Sequence, residues 1–297
     1  MTNKRIFAVI LAGLVFLQGH AQESSALSFV SIDRNPATAA MGGAQAVSAL
    51  YNPSAIPFSG SDAVFSYQMW APKTFNSGNM NLLAAFKIGD KLGFSVSGAY
   101  QMGQEYTLVN ESGISGKTFR PSDMLGGIGV GFAFTETLSA GVSARFASTT
   151  VASGTSYSGI GADVFVLYHA GALSATAGVS SLGMKVKSGN DSYALPTAAK
   201  AGVGYDMDLS ENTLKLAADL SYFLLGGVEA AAGGEFGYKD MLFLRAGAHI
   251  GTGKSPLPTY VSLGAGFKYS GFHVDLCWLT ANQILGNTLQ LGLGYRF

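Results

Sequence analysis

The chain has 297 residues, of which 12% are charged, 48% are apolar and 40 are glycine; a soluble domain carries about a quarter charged residues, so the side chains that keep a protein in water are scarce here. Eighteen Lys and Arg balance eighteen Asp and Glu with no basic stripe, which removes nucleic acid as an expected partner. The single cysteine, Cys277, excludes an internal disulfide and a multi-cysteine metal site.

The first predicted element is an export signal. Lys4 and Arg5 precede an apolar stretch from Ile6 to Leu17, and Gly19-His20-Ala21 has the small-x-small pattern of a cleavage site. Residues 1–21 are therefore expected to be removed, with cleavage near Ala21, and no cysteine stands at the cut to carry a lipid anchor. Beyond that leader no run of 18 or more residues is uninterruptedly apolar, so helical membrane spans are not expected. Residues 22–60 do not alternate. Asn35-Pro36 and Asn52-Pro53 bracket a small-residue run from Ala37 to Leu50, and Pro together with Gly42-Gly43 argues against one continuous helix. This segment reads as short helical turns tucked into a lumen as a plug.

From residue 61 to 297 the pattern changes to a period of two. Leu289, Leu291, Leu293, Tyr295 and Phe297 alternate with Gln290, Gly292, Gly294 and Arg296, and the same rhythm runs through 138–146, 228–239 and 242–250. Such ten-residue segments, one face apolar and the other polar, are the mark of an outer-membrane strand. They are centred near residues 67, 84, 97, 129, 142, 163, 176, 202, 218, 233, 246, 264, 275 and 292. An unpaired backbone amide in hydrocarbon costs several kcal/mol, so a chain without helical spans must close its sheet. The expected fold is all-β: a transmembrane antiparallel β-barrel of about fourteen strands with an N-terminal plug, in the bacterial outer membrane. Connections near 90, 136, 171, 211, 239 and 270 are short, whereas 71–78, 105–121, 149–157, 186–195, 251–258 and 280–287 are longer, with 224–227 breaking the rule. That parity places both termini on the periplasmic side. Trp70, Tyr100, Tyr168, Tyr205, Tyr222, Tyr238, Tyr269, Trp278 and Tyr295 fall toward strand ends, as interfacial girdles require. Inner-face glycines such as Gly127, Gly129, Gly131, Gly202 and Gly204 leave room for something inside.

Glu229, Glu235, Arg245, His249, His273 and Asp275 point by parity into the lumen from neighbouring strands. They read either as a polar ligand site or proton-sensitive latch on the plug, or as charges that compensate one another because unpaired buried charges are costly. The other inner charges, Lys87, Arg145, Asp163, Lys200, Lys215, Asp219 and Lys268, mix both signs, which excludes a strongly ion-selective pore. No Ser-centred elbow and no metal-spaced His pair occurs, so neither catalysis nor a metal or cofactor is expected. The run Gly126 to Gly131 is followed by no helical pattern and reads as strand rather than phosphate loop. The connection from Thr107 to Pro121 is the longest and the best placed for partner contact.

Phe29 to Ile32, Ala39-Ala40-Met41-Gly42-Gly43-Ala44 and Tyr51-Asn52-Pro53-Ser54-Ala55 resemble the N-terminal signature of the PorV/PorQ family of Bacteroidetes outer-membrane proteins. Gly234 to Gly247, Gly264 to Tyr269, Gly286-Asn287-Thr288 and the ending Gly294-Tyr295-Arg296-Phe297 are similar again, while from about residue 60 to 225 the likeness is vague. The resemblance implies a FadL-like barrel of fourteen strands with an inserted hatch, Met41, Gly42, Gly43, Asn52 and Pro53 forming the plug motif and Tyr295 and Phe297 the barrel-assembly terminus. It also implies a non-enzymatic role in type IX secretion, as a scaffold in outer-membrane lipid for a protein partner, either secreted cargo or a surface protein. The FadL-like architecture implies an alternative, a transporter that binds hydrophobic small molecules. A simple diffusion porin is disfavoured by the plug.

Overall fold

Eighteen strands run through the computed structural model, which describes residues 27–297 apart from 75, 111–112, 153–154, 189–190 and 281. In chain order they are β1 (Asp62–Trp70), β2 (Ser77–Ile88), β3 (Leu92–Met102), β4 (Tyr106–Asn110), β5 (Gly113–Phe119), β6 (Ser122–Ala133), β7 (Leu138–Ala152), β8 (Thr155–Ala170), β9 (Leu173–Gly183), β10 (Val186–Ser188), β11 (Asp191–Tyr193), β12 (Ala198–Leu209), β13 (Asn212–Phe223), β14 (Val228–Tyr238), β15 (Leu242–Thr252), β16 (Tyr260–Tyr269), β17 (Phe272–Thr280) and β18 (Thr288–Arg296). Fourteen of them form one closed antiparallel barrel; β4 with β5 and β10 with β11 are separate hairpins. Each of the fourteen predicted centres falls within one barrel strand. Closure is made by β1, which pairs with β2 on one side and with β18 on the other, Asp62 opposite Arg296 and Met69 opposite Leu289. No sheet edge is left in the barrel, so its ladder amides are paired without help from solvent.

Alternation decides which face meets what. On β18, Leu289, Leu291 and Leu293 are 42 to 56% exposed, whereas Thr288 and Gln290, which alternate with them, are buried. Phe65, Leu82, Val130, Val142, Leu244, Leu263 and Leu276 join the same outward surface. An apolar belt of this extent around the whole molecule is far larger than a protein in water exposes, and it matches an acyl-chain environment. No helix among the described residues is long and apolar enough to cross a membrane.

Two expectations are corrected. Residues 149–157 are not a loop: β7 and β8 continue to Ala152 and Thr155, because Thr149, Thr150 and Val151 are β-formers that extend the ladder past the belt. The stretches 105–121 and 186–195 are long connections, as expected, and each carries one of the two hairpins. Trp70 is not in a girdle. It is buried, on the lumen face that it shares with Val64, Ser66 and Gln68. The other eight girdle aromatics are exposed.

Short connections gather at one end of the barrel and longer ones at the other, with Phe297 at the short-turn end, where its amide donates to Ser61 O at 3.1 Å. Leu27, the first described residue, lies at the opposite end, packed with Ala147, Val186 and Leu195. The segment from 27 to 61 therefore threads the lumen from the long-loop end to the short-turn end, and the expectation for the N-terminus itself falls outside the described residues, as do the leader and its cleavage site.

Two register shifts break the wall: one lies at the long-loop tip of β7 and β8, between Thr150 and Ala152, and the other faces the lumen. Between β8 and β9 the register shifts, Ala162 facing Leu182 but Val164 facing Val179, so Ser180 and Ser181 together oppose Asp163. Ser181 takes φ +55°. The Asp163 carboxylate repairs this bulge by accepting from Ser181 N at 2.8 Å and from Arg145 at 2.6 Å, which replaces the lost ladder bond.

Candidate functional site

The plug is built on its two Asn-Pro pairs. Asn35 caps a one-turn helix, α1 (Pro36–Ala39), its Oδ1 accepting from Ala37 N at 3.2 Å; Asn52 caps a 3-10 helix (Pro53–Phe58), accepting from Ser54 N at 3.0 Å. In both, Pro occupies the first helical position, where its missing N–H costs nothing. Asn52 is also fully buried, and its Nδ2 ties the plug to itself and to the wall by donating to Ala46 O at 2.7 Å and to Thr176 Oγ1 at 3.1 Å.

Glycines of the wall form the seat. A Cβ added at Gly292 would meet Pro36 at 3.0 Å, at Gly264 it would meet Ala40 at 2.4 Å, at Gly247 and Gly233 the Met41 backbone at 2.2 and 2.4 Å, at Gly202 Ala46 at 2.5 Å, at Gly131 Pro53 O at 1.8 Å and at Gly93 Ile56 at 2.4 Å. The plug backbone thus circles the inside of the barrel and touches strand after strand where no side chain stands. Polar groups fasten the same circuit: Ser262 Oγ accepts from Gly42 N and donates to Ala40 O, both at 2.9 Å, and Asp219 Oδ2 accepts from Gln45 N and Ala46 N, both at 2.7 Å. Gly42 and Gly43 adopt φ +76° and +81°.

Inside the plug lies a buried polar knot that the sequence reading missed. Tyr51 donates to Asp33 Oδ1 at 2.5 Å and its hydroxyl accepts from Arg34 N at 2.7 Å and Asn35 N at 2.8 Å, while the Arg34 guanidinium donates to Phe29 O at 2.7 Å. The signal that could have found it is the placement of Asp33-Arg34 directly before a capping Asn-Pro, charged residues in a segment too apolar to be a solvated loop.

All six predicted lumen residues point inward, but they form two groups. Arg245 lies between Glu235 and Asp275, at 2.5 Å from each; His273 joins Asp275 at 2.7 Å and Asp62 at 3.1 Å, and Asp62 meets Arg296 at 3.2 Å. This chain of alternating charge runs round the short-turn half of the wall and compensates itself. Glu229 and His249 stand apart on the long-loop side of the Met41–Gly42 crossing. Glu229 accepts from Leu257 N at 2.9 Å, and the His249 ring stacks on Tyr260 at 4.8 Å with Nδ1 3.3 Å from Gly42 O. Tyr295 and Phe297 face outward at the short-turn end, their rings 5.0 Å apart.

Below the plug, on the short-turn side, a vestibule of about 490 Å³ opens. Its plug-side surface includes Ala37, Met41, Ala44, Val47, Ala49 and Leu50, and its wall carries the self-compensated charges with Lys268 and Asp240, which pair at 2.6 Å. At the long-loop end, Ile32, Trp70, Ala71, Leu257, Leu279 and Leu285 form a buried apolar cluster with Phe29 packed against it. Among the described residues no group of three His, Cys, Asp or Glu could hold a metal ion as it stands.

No protein family and no curated protein sequence matches the chain. Solved structures do. The toluene transporter TodX of P. putida superposes with a TM-score of 0.60 at 12% identity over 89% of this chain and 98% of that one. The monoaromatic hydrocarbon channel CymD gives 0.61 at 13% identity, covering 89% and 97%. A Pseudomonas aeruginosa FadL homologue gives 0.52 at 11% identity, covering 93% and 99%. At these identities the likeness is one of fold: this chain has the fourteen-stranded architecture of FadL-type outer-membrane barrels.

Proposed function

We propose that this protein is a non-enzymatic outer-membrane channel for small hydrophobic molecules, gated by its plug. The observation that carries the reading is the lumen itself: apolar plug side chains face a vestibule whose buried wall charges Glu235, Arg245 and Asp275 are paired with one another, so an uncharged apolar solute meets no buried charge left unanswered. A buried apolar cluster waits at the opposite mouth, where such a solute arrives from outside. Solved barrels of similar fold include a toluene transporter and a monoaromatic hydrocarbon channel, which supports the same class of cargo here. The plug is seated on the wall along its whole circuit, so passage requires part of it to move.

The test is uptake. Cells lacking the gene are expected to accumulate radiolabelled toluene or a medium-chain fatty acid more slowly from dilute medium, with recovery on complementation. Unchanged uptake of both would sink the channel.

A second reading places the chain with the PorV/PorQ proteins, as a secretion scaffold. The observation in its favour is the plug motif: Met41, Gly42, Gly43, Asn52 and Pro53, on which the sequence resemblance rests, are the residues that hold the plug to the wall. A fixed plug suits a scaffold better than a gate. Failure of C-terminal-signal cargo to reach the surface in the same deletion strain, with uptake intact, would select this reading.

A further inference from the structure

We infer that Leu50 is the gate residue of the barrel: a solute reaches the vestibule on the flank of the plug where Leu50 meets Val64 and Leu83 of the wall. The bulk of these side chains sets the largest solute admitted. The inference rests on the channel reading and gives it a route.

The two flanks of the plug differ. Against β14 and β15 it meets the wall backbone to backbone: the Met41 and Gly42 main chain lies where Cβ atoms of Gly233 and Gly247 would stand, and Ser262 pegs both Gly42 N and Ala40 O. A pocket of about 20 Å³ beside Gly43 is lined by Asp33, Lys200, Asp219 and Glu229, and it shares no described lining residue with the vestibule. An apolar solute taking that side would displace the water of four charged groups and answer none of them.

Against β2, β3 and β6 to β8 the contact is made by side chains. A pocket of about 50 Å³ lies there between plug and wall, and Leu83, Ser97, Ile128, Arg145 and Asp163 place it halfway along their strands. Its charged wall pair, Arg145 and Asp163, is closed at 2.6 Å. Arg34 also lines it and donates to Phe29 O at 2.7 Å. Phe29 in turn packs against both apolar clusters of the long-loop end, the one at Trp70 and the one at Leu27. On the other side stands Leu50, which lines this pocket and the vestibule alike. Mouth, pocket and vestibule therefore form a series. The buried cluster that contains Leu50, Val64 and Leu83 is the partition between the last two.

The chain at the partition is free to yield. From Val47 to Leu50 the plug makes no backbone hydrogen bond to the wall among the described residues, whereas Gln45 and Ala46 before it are held by Asp219 and Asn52 after it by Thr176. The segment can withdraw as a unit while its neighbours stay seated. Its contacts with the wall are apolar, so a hydrophobic solute replaces those that are given up and a hydrated one does not. Selection by size and by polarity thus falls on the same few side chains.

The test compares solutes of two sizes in cells that lack the gene and carry wild type or a variant in its place. Initial uptake of radiolabelled toluene and naphthalene is measured, and the ratio of the two rates does not depend on how much barrel reaches the membrane. Leu50→Ala and Leu83→Ala are each expected to raise the naphthalene-to-toluene ratio by roughly tenfold, and Leu50→Trp to bring both rates down to those of the deletion strain. Ala231→Gly, which widens the pocket beside Gly43, leaves the ratio of wild type. Should Leu50→Trp fail to reach the outer membrane, the two alanine variants carry the comparison. An unchanged ratio in both, or a rise shared by Ala231→Gly, overturns the route and leaves the channel standing. A wild-type barrel that takes up neither solute faster than the deletion strain removes the channel, and the gate with it.

Discussion

Gly42 is the residue at which plug, wall and backbone conformation meet. Its φ of +76° lies in the left-handed region, and a Cβ would stand 2.4 Å from Ala248 O on the wall strand. Backbone strain of this kind costs on the order of 1–3 kcal/mol and overpacking a similar amount. Gly42→Ala is therefore expected to lower the thermal unfolding midpoint of the detergent-solubilised barrel and to open the plug to protease. Gly126→Ala is the control, since nothing lies within 4 Å of a Cβ there; equal behaviour of the two variants would refute the seat. Residue parity in the sequence assigned Glu229, Glu235, Arg245, His249, His273 and Asp275 to the lumen, and each is there. It was silent on height. Arg245 and His249 share a face of one strand, yet four residues at about 3.4 Å each separate them by roughly 13 Å, and the Met41–Gly42 backbone passes between. Periodicity reports the face of a side chain and not the level at which a second segment crosses it.

At the scale of elements, strands were legible and their exceptions were not. A period of two is local, so each strand announces itself in about ten residues. The bulge at Ser180-Ser181 is a matter of register between two strands, and no single strand records it. Trp70 is different: alternation with Val64, Ser66 and Gln68 along its own strand places it inside, although its position near a strand end invites a girdle. In the plug, Asn-Pro was read as punctuation, whereas each Asn caps and each Pro opens a helical turn. Asn52 does more than cap, because its amide also holds Ala46 O and Thr176 Oγ1. Asn52→Ala removes the cap, worth about 0.5–2 kcal/mol, and leaves a buried carbonyl without its donor at about 1–3 kcal/mol more. Limited proteolysis should then cut between Ala44 and Gly60 while the barrel fragment stays intact. Protection equal to wild type would mean that the wall glycines hold this segment unaided.

For the molecule as a whole, the question is whether the plug stays or moves. A gate must leave its seat during each passage, and a scaffold has no such need. The Cβ of Val47 lies 3.7 Å from the position of a Cβ built on Gly204, within the separation of about 3.5–4.5 Å that a disulfide requires. The native chain offers little interference, since its one cysteine, Cys277, is buried. Val47→Cys with Gly204→Cys, oxidised in liposomes, is expected to lower uptake of a hydrophobic solute to that of empty vesicles, and reduction should restore it. The bond pins the small-residue run of the plug to β12 without touching the vestibule charges, and because the reduced double variant carries the same two substitutions, loss of uptake on oxidation alone reports immobility of the plug. Transport that persists through the oxidised barrel would show that solutes pass without release at Val47, and would confine any gate to the turns on either side of it. Normal display of secreted cargo by cells carrying the locked barrel, alongside lost uptake, would separate the two proposed functions in one strain.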